Sequence, residues 1–254
     1  MARMTCNFIS YVLKRAVDIT VIIPTTTIPE SLVNDPKQKP THVIEEKYPV
    51  LYLLHGYGNN HATWAGYSRI ELYAEENNMA VVMLSAENKA YNNVSQEDHY
   101  YDFLSDELPE FIAAMFPVST RKEDTYIAGL SMGGYGTLVH GLTHPERFQA
   151  IGSFSGAVSM LNGKEGAYDV MNIIKHLLET KQPFPHMYIA CGKEDFLYDA
   201  NVQLIEYLKN NDVPVTVDFV EGYTHEWRFW DMEVERFLDW LDRTDHYAGQ
   251  KRKV

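Results

Sequence analysis

The residues Gly129-Leu130-Ser131-Met132-Gly133 match the pattern G-x-S-x-G, which places a serine between two positions without side chains. A serine hydroxyl is a weak nucleophile near neutral pH. It performs acyl transfer when a base takes its proton and an acid orients that base. The chain offers ten histidines as bases. His225, in Gly222-Tyr223-Thr224-His225-Glu226-Trp227, follows the last strand pattern, where a loop can carry its ring to Ser131. His140, His144 and His176 fall on or beside helix patterns. His42, His61 and His99 lie in polar loops, His186 opens a strand, His246 is in the tail, and His55 precedes the serine at another turn. The candidate acid is Asp195, just beyond the strand pattern from His186 to Cys191. Glu194 and Asp199 are its rivals, and Asp199 is better placed to cap a helix beginning at Ala200.

The tetrahedral intermediate of acyl transfer carries an oxyanion that needs backbone N–H donors. Met132, which follows the serine, supplies one. Tyr57 supplies the other, from the turn His55-Gly56-Tyr57-Gly58 at the end of an early apolar run. His55, Gly56, Trp227 and Met160 (with Leu161) are candidates for substrate contact. Trp230, Phe237 and Trp240 recur at helical spacing and read as core. No His/Cys/Asp cluster has zinc spacing and no phosphate loop is present, so neither a metal nor an organic cofactor is expected.

The G-x-S-x-G pattern carries meaning in a strand–turn–helix context, and the sequence supplies one. Tyr126 to Ala128 reads as a buried strand and Thr137 to His140 as a helix. Gly129 and Gly133 are required because larger side chains beside a strained serine turn would collide. Tyr48–Leu54, Ala80–Leu84, Phe148–Phe154, His186–Ala190 and Pro214–Val220 read as further strands. They alternate with helices over Ser68–Asn77, Tyr101–Phe116 (kinked near Pro109), Tyr168–Leu178, Ala200–Asn210 and Glu226–Leu241. This alternation predicts a mostly parallel sheet with helices on both faces and working groups at the carboxyl ends of strands. Asn7–Leu13 and Ala16–Ile23 add an N-terminal antiparallel pair. Residues 24–49 read as a long surface loop, 87–96 as polar and irregular, 157–185 as an insert-like segment near the site, and 245–254 as a frayed polar tail. With no internal repeat, 1–254 reads as a single domain.

The 254 residues are 45% hydrophobic, enough for a core without disulfide or metal staples. A net charge of −13 argues against nucleic acid or an anionic membrane as partner. No apolar run is long enough to span a bilayer and no signal peptide is evident, so a cytoplasmic location is expected. Cys6 and Cys191 read as small core hydrophobes and not as a disulfide.

LLHGYGNNHATW, DELPEFI, GLSMGGYG, FSGA, CGKEDFLYDAN and GYTHEWRFWD occur in this order. Together they resemble the esterase D family of α/β-hydrolases over about Tyr48 to Leu241. The similarity is greatest to small tributyrin-type esterases, related to S-formylglutathione hydrolases and to feruloyl and acetylxylan esterases. The resemblance implies the α/β-hydrolase fold and a serine carboxylesterase with Ser131, Asp195 and His225 as triad and the Tyr57 and Met132 amides as oxyanion donors. It implies a small-molecule ester as partner: a short-chain ester, a sugar acetate or a hydroxycinnamoyl ester. Several members oligomerise, which keeps a homo-oligomer in view. An S-formylglutathione-type thioesterase, an acyltransferase or a non-catalytic binding protein on the same fold are the rival expectations.

Overall fold

The computed structural model describes residues 1–33, 40–158 and 168–254. Among these, eight strands form one sheet: β1 (Ala2–Ser10), β2 (Arg15–Ile23), β3 (Val50–Leu54), β4 (Ala80–Leu84), β5 (Thr125–Leu130), β6 (Ala150–Phe154), β7 (His186–Gly192) and β8 (Thr216–Val220). Their order is β1-β2-β4-β3-β5-β6-β7-β8. β1 pairs antiparallel with β2, and β2 antiparallel with β4; every other pairing is parallel. β3, β4 and β6 are buried at every residue, which is why they read as unbroken apolar runs.

The helices are α1 (Ile28–Ser31), α2 (Thr63–Tyr67), α3 (Ile70–Glu76), α4 (Tyr100–Asp102), α5 (Leu108–Met115), α6 (Met132–Thr143), α7 (Val170–Thr180), α8 (Tyr198–Asn210) and α9 (Trp227–Trp240). They cover both faces of the sheet. Val50, Tyr52 and Leu54 of β3 pack in one cluster with residues of α5 to α8. Leu51 and Leu53 point the other way, into a cluster with α2, α3 and α9. No helix among the described residues is long and apolar enough to cross a membrane.

Four expectations needed correction. β1 begins at Ala2 and not at Asn7, because Met4, Cys6 and Phe8 alternate onto the core while Arg3, Thr5 and Asn7 face outward. The expected helix over 101–116 is split by a π-helical turn, Phe103–Glu107, before α5. Pro109 has no N–H and its ring would crowd the Ser105 carbonyl, so the helix widens there and the Arg147 guanidinium donates to that carbonyl. α8 starts at Tyr198, which puts Asp199 inside its first turn and not at the cap. The tail is packed and not frayed: Tyr247 stacks on Tyr48 at 5.0 Å, and Arg252 donates to the Thr25 carbonyl and to Glu30. Within the 24–49 stretch, Thr27 and Glu30 form a reciprocal cap that starts α1.

Candidate active site

Ser131 lies between β5 and α6 with φ 53° and ψ −114°, a left-handed conformation that a residue with a side chain adopts only under constraint. The constraint comes from close backbone contacts. A Cβ on Gly129 would stand 2.6 Å from Gly133 backbone atoms, and one on Gly133 would run into the Leu54 and His55 carbonyls. The Ser131 N–H donates to the Phe154 carbonyl at 2.9 Å, and its own carbonyl accepts from Tyr135 and Ala157. The turn is therefore locked by both neighbouring strand ends, and the hydroxyl projects past the carboxyl end of the sheet.

His225 reaches this point from the loop between β8 and α9. Its Nε2 lies 3.0 Å from Ser131 Oγ and its Nδ1 lies 2.8 Å from Asp195 Oδ2. Phe196 and Trp230 hold the ring, with centroids 4.7 and 4.8 Å from it. The Asp195 side chain is fully buried. Burial pushes its carboxyl pKa up, but hydrogen bonds from His225, the Leu197 N–H and Ser155 outweigh this and hold it below the ordinary value. A carboxylate so placed fixes the tautomer with the proton on His225 Nδ1, leaving Nε2 to accept from serine. Glu194 does a different job: its Oε2 accepts from the Gly222 N–H at 2.8 Å and ties down the loop that carries His225. Cys191 lies behind the site, buried, its thiol pushed up to about 12 by burial.

The turn after β3 faces the serine. A Cβ on Gly56 would meet the end of the Leu130 side chain, which would have to shift to admit it. His55, a candidate for substrate contact, is 1% exposed and sits behind the turn. Its Nε2 accepts from the Ala86 N–H at 2.9 Å and its Nδ1 lies 2.7 Å from the Gly56 carbonyl, so both ring nitrogens are used on backbone. Burial lowers its pKa to about 4, which keeps the imidazole neutral. The irregular 87–96 segment completes the support. Asn88 Oδ1 accepts from the Gly58 N–H at 2.6 Å, and the buried Tyr91 hydroxyl donates to the His55 carbonyl at 2.8 Å. The N–H groups of Tyr57 and Met132 donate to no group among the described residues.

These elements enclose a cavity of about 780 Å³, lined by Ser131, His225, Gly56, Tyr57 and Met132 among others. Trp227 lines it, and so do residues the sequence did not single out: Asn59, Phe196, Leu197 and Glu226. Trp230, expected in the core, is 5% exposed yet also lines the cavity. Met160 and Leu161 lie outside the described residues.

Residues 36–240 match the family model described as "Putative esterase". An acetyl esterase of Caldicellulosiruptor saccharolyticus is 32% identical over 96% of this chain and 99% of its own length. Among solved structures, the Staphylococcus aureus fluorophosphonate-binding serine hydrolase F, FphF, superposes with a TM-score of 0.82 at 27% identity, covering 94% of this chain and 98% of that one. The S-formylglutathione hydrolase FrmB of Staphylococcus aureus superposes with a TM-score of 0.79 at 28% identity, covering 94% and 96%. With a strained serine turn at the carboxyl edge of a mostly parallel sheet, the chain belongs to the esterase D-like family of α/β-hydrolases and is a serine esterase.

Proposed function

We propose that the chain is a carboxylesterase that removes short acyl groups through an acyl-enzyme on Ser131. His225 Nε2 takes the Oγ proton as Oγ attacks the ester carbonyl carbon. The Tyr57 and Met132 amides hold the resulting oxyanion, and Asp195 stabilises the imidazolium. Collapse breaks the bond to the alcohol oxygen, which leaves with the proton from His225. Water then gives a proton to the same nitrogen, attacks the acyl carbon, and the carboxylic acid departs as the proton returns to Ser131. The observation that carries this reading is the line Ser131 Oγ–His225 Nε2–Asp195, with 3.0 and 2.8 Å steps, opening into a cavity rimmed by aromatic side chains.

The 32% identical acetyl esterase supports a short acyl group. The test is a hydrolysis profile on p-nitrophenyl esters from acetate to laurate, run beside Ser131→Ala. Cleavage of acetate to butyrate by wild type and none by the variant is the expected result, with sugar acetates and hydroxycinnamoyl esters tested next. Folded wild type that cleaves none of them would overturn the assignment.

A thioesterase acting on S-formylglutathione is the second reading, favoured by the likeness to FrmB. It would use the same three residues. Glutathione brings two carboxylates, and the described residues lining the cavity include Glu226 and neither Lys nor Arg. A direct comparison of that thioester with a short aryl ester separates the two.

A further inference from the structure

We propose that Glu226 makes the mouth of the cavity a charge filter: esters whose alcohol part is cationic are preferred over neutral ones, and anionic ones are rejected. The proposal rests on the esterase reading above and names the class of leaving group that the site takes.

Glu226 lies between His225 and Trp227 and lines the cavity while partly buried. Its Oε1 accepts from both the N–H and the hydroxyl of Thr224, each at 3.2 Å, so the carboxylate is held in place. Among the described lining residues no Lys, Arg or second carboxylate accompanies it. The surfaces around it are aromatic. Trp227 and Trp230 stand perpendicular at 5.3 Å, and Tyr67 stacks on Trp227 at 5.2 Å. Tyr57 and Phe196, both 70% exposed, complete the rim. Aromatic faces attract alkylammonium groups through their quadrupoles, and a fixed carboxylate adds a direct Coulomb term. An anion at the same place meets the carboxylate with no cation among the described lining residues to offset it. The net charge of −13 acts in the same sense at long range, but salt screens that contribution far more than one inside a partly buried mouth.

The experiment compares kcat/KM for three acetate esters of similar shape: acetylcholine, its uncharged carbon isostere, and an analogue with a carboxylate in place of the trimethylammonium. Wild type is expected to favour the cationic over the neutral ester by about fivefold to tenfold, as a partly solvated charge pair and a cation–π contact together imply, and to disfavour the anionic one similarly. Glu226→Gln keeps an oxygen for Thr224, so it should fold normally. It should narrow the spread among the three kcat/KM values to the smaller cation preference that the aromatic rim alone gives, and remove the penalty on the anionic ester. Glu206→Gln, on an exposed position of α8, removes the same charge far from the cavity and should retain the wild-type preference. Equal rates in wild type, an unchanged preference in Glu226→Gln, or an equal loss in Glu206→Gln would overturn the filter. Tryptophan fluorescence of Ser131→Ala titrated with choline and with its uncharged isosteric alcohol reads the same preference without chemistry. Tighter choline binding supports the filter whether or not hydrolysis is seen, and equal binding refutes it even if hydrolysis stands.

Discussion

Two serine–histidine pairs sit at opposite ends of the sheet. Beyond the carboxyl ends of the strands, Ser131 Oγ is 3.0 Å from His225 Nε2. Near the amino ends, Ser105 Oγ is 3.1 Å from His140 Nδ1, beside a second cavity of about 410 Å³ that also touches Val50 and Thr125. The distances barely differ; the surroundings do. His225 rests its other nitrogen on a buried carboxylate, whereas His140 donates from Nε2 to the Tyr91 carbonyl at 3.0 Å. His140 is wholly buried, and burial lowers its pKa to about 4, so it resists becoming an imidazolium. Ser105 lies in the π-helical turn, while Ser131 occupies a strained turn opening on the larger cavity. A hydrogen-bonded serine–histidine pair is thus an ordinary packing element until a carboxylate, an exposed hydroxyl and aimed amides are added.

The sharpest way to break this comparison is to remove each hydroxyl. Ser131→Ala should lower kcat/KM by about four orders of magnitude or more. Ser105→Ala should leave it within about twofold and cost roughly 1 kcal/mol of stability for a lost buried hydrogen bond. Ester hydrolysis and urea melts on the two variants decide this. Next in size, Asp195→Asn frees His225 to take the wrong tautomer. A fall in kcat of about a thousandfold to ten-thousandfold with KM little changed is expected from steady-state kinetics.

Glycine substitutions extend the comparison from chemistry to the fold that holds it. Gly133→Ala drives a methyl into the Leu54 and His55 carbonyls, neither of which can move without shifting β3. A loss of about 3 kcal/mol or more is expected in chemical denaturation. Gly66→Ala in α2 meets nothing within 4 Å and should be neutral or stabilise by roughly 0.5–1 kcal/mol.

Acid separates the buried histidines from the rest. His140 titrates at 6.5 when unfolded and at about 4 when folded, so between these values the unfolded chain binds the extra proton. Its contribution is therefore complete above 6.5 and is lost as pH falls toward about 4. The shift amounts to roughly 3 kcal/mol. His55, lowered to about 4 by burial, acts in the same sense and is untouched by changing His140. His140→Gln should be less stable at neutral pH, yet lose about 3 kcal/mol less than wild type on acidification from pH ~7 to ~4. Parallel stability curves would show that His140 is not the group responsible.

The parts of this arrangement that sequence made legible are those with short-range signatures. Gly129 and Gly133 flank Ser131 because of local collisions, and Asp195 and His225 each follow a strand, so their placement can be read from order alone. β3, β4 and β6 advertise burial on both faces as apolar runs. What sequence hid depends on contacts between distant segments. His55 looks like a substrate ligand until its ring nitrogens are seen to hold Gly56 and Ala86. Residues 87–96 look irregular because their backbone is irregular: Glu87, Asn88, Ala90 and Tyr91 all have positive φ. Trp230 has core spacing and is core, but the same side chain also lines the cavity.

The smallest predicted effect concerns that irregular loop, and it separates positioning from packing. Gly58 has φ +78° and its N–H is held by Asn88 Oδ1, itself on a residue with φ 56°. Tyr57, immediately before it, offers the amide proposed to hold the oxyanion, and the 70% exposure of its side chain means that packing does little to fix it. The turn is therefore aimed from one side by His55 and from the other by Asn88. Asn88→Ala removes one of these two anchors at a surface site, where stability should change by less than about 1 kcal/mol. An amide less well aimed at a charge that exists only in the transition state should cost kcat and not KM, by about threefold to tenfold. Asn88→Asp keeps an acceptor for the Gly58 N–H and should recover most of that loss. Steady-state kinetics on the three proteins tests it: a change in KM alone, or no recovery with aspartate, would show that Asn88 only fills the loop.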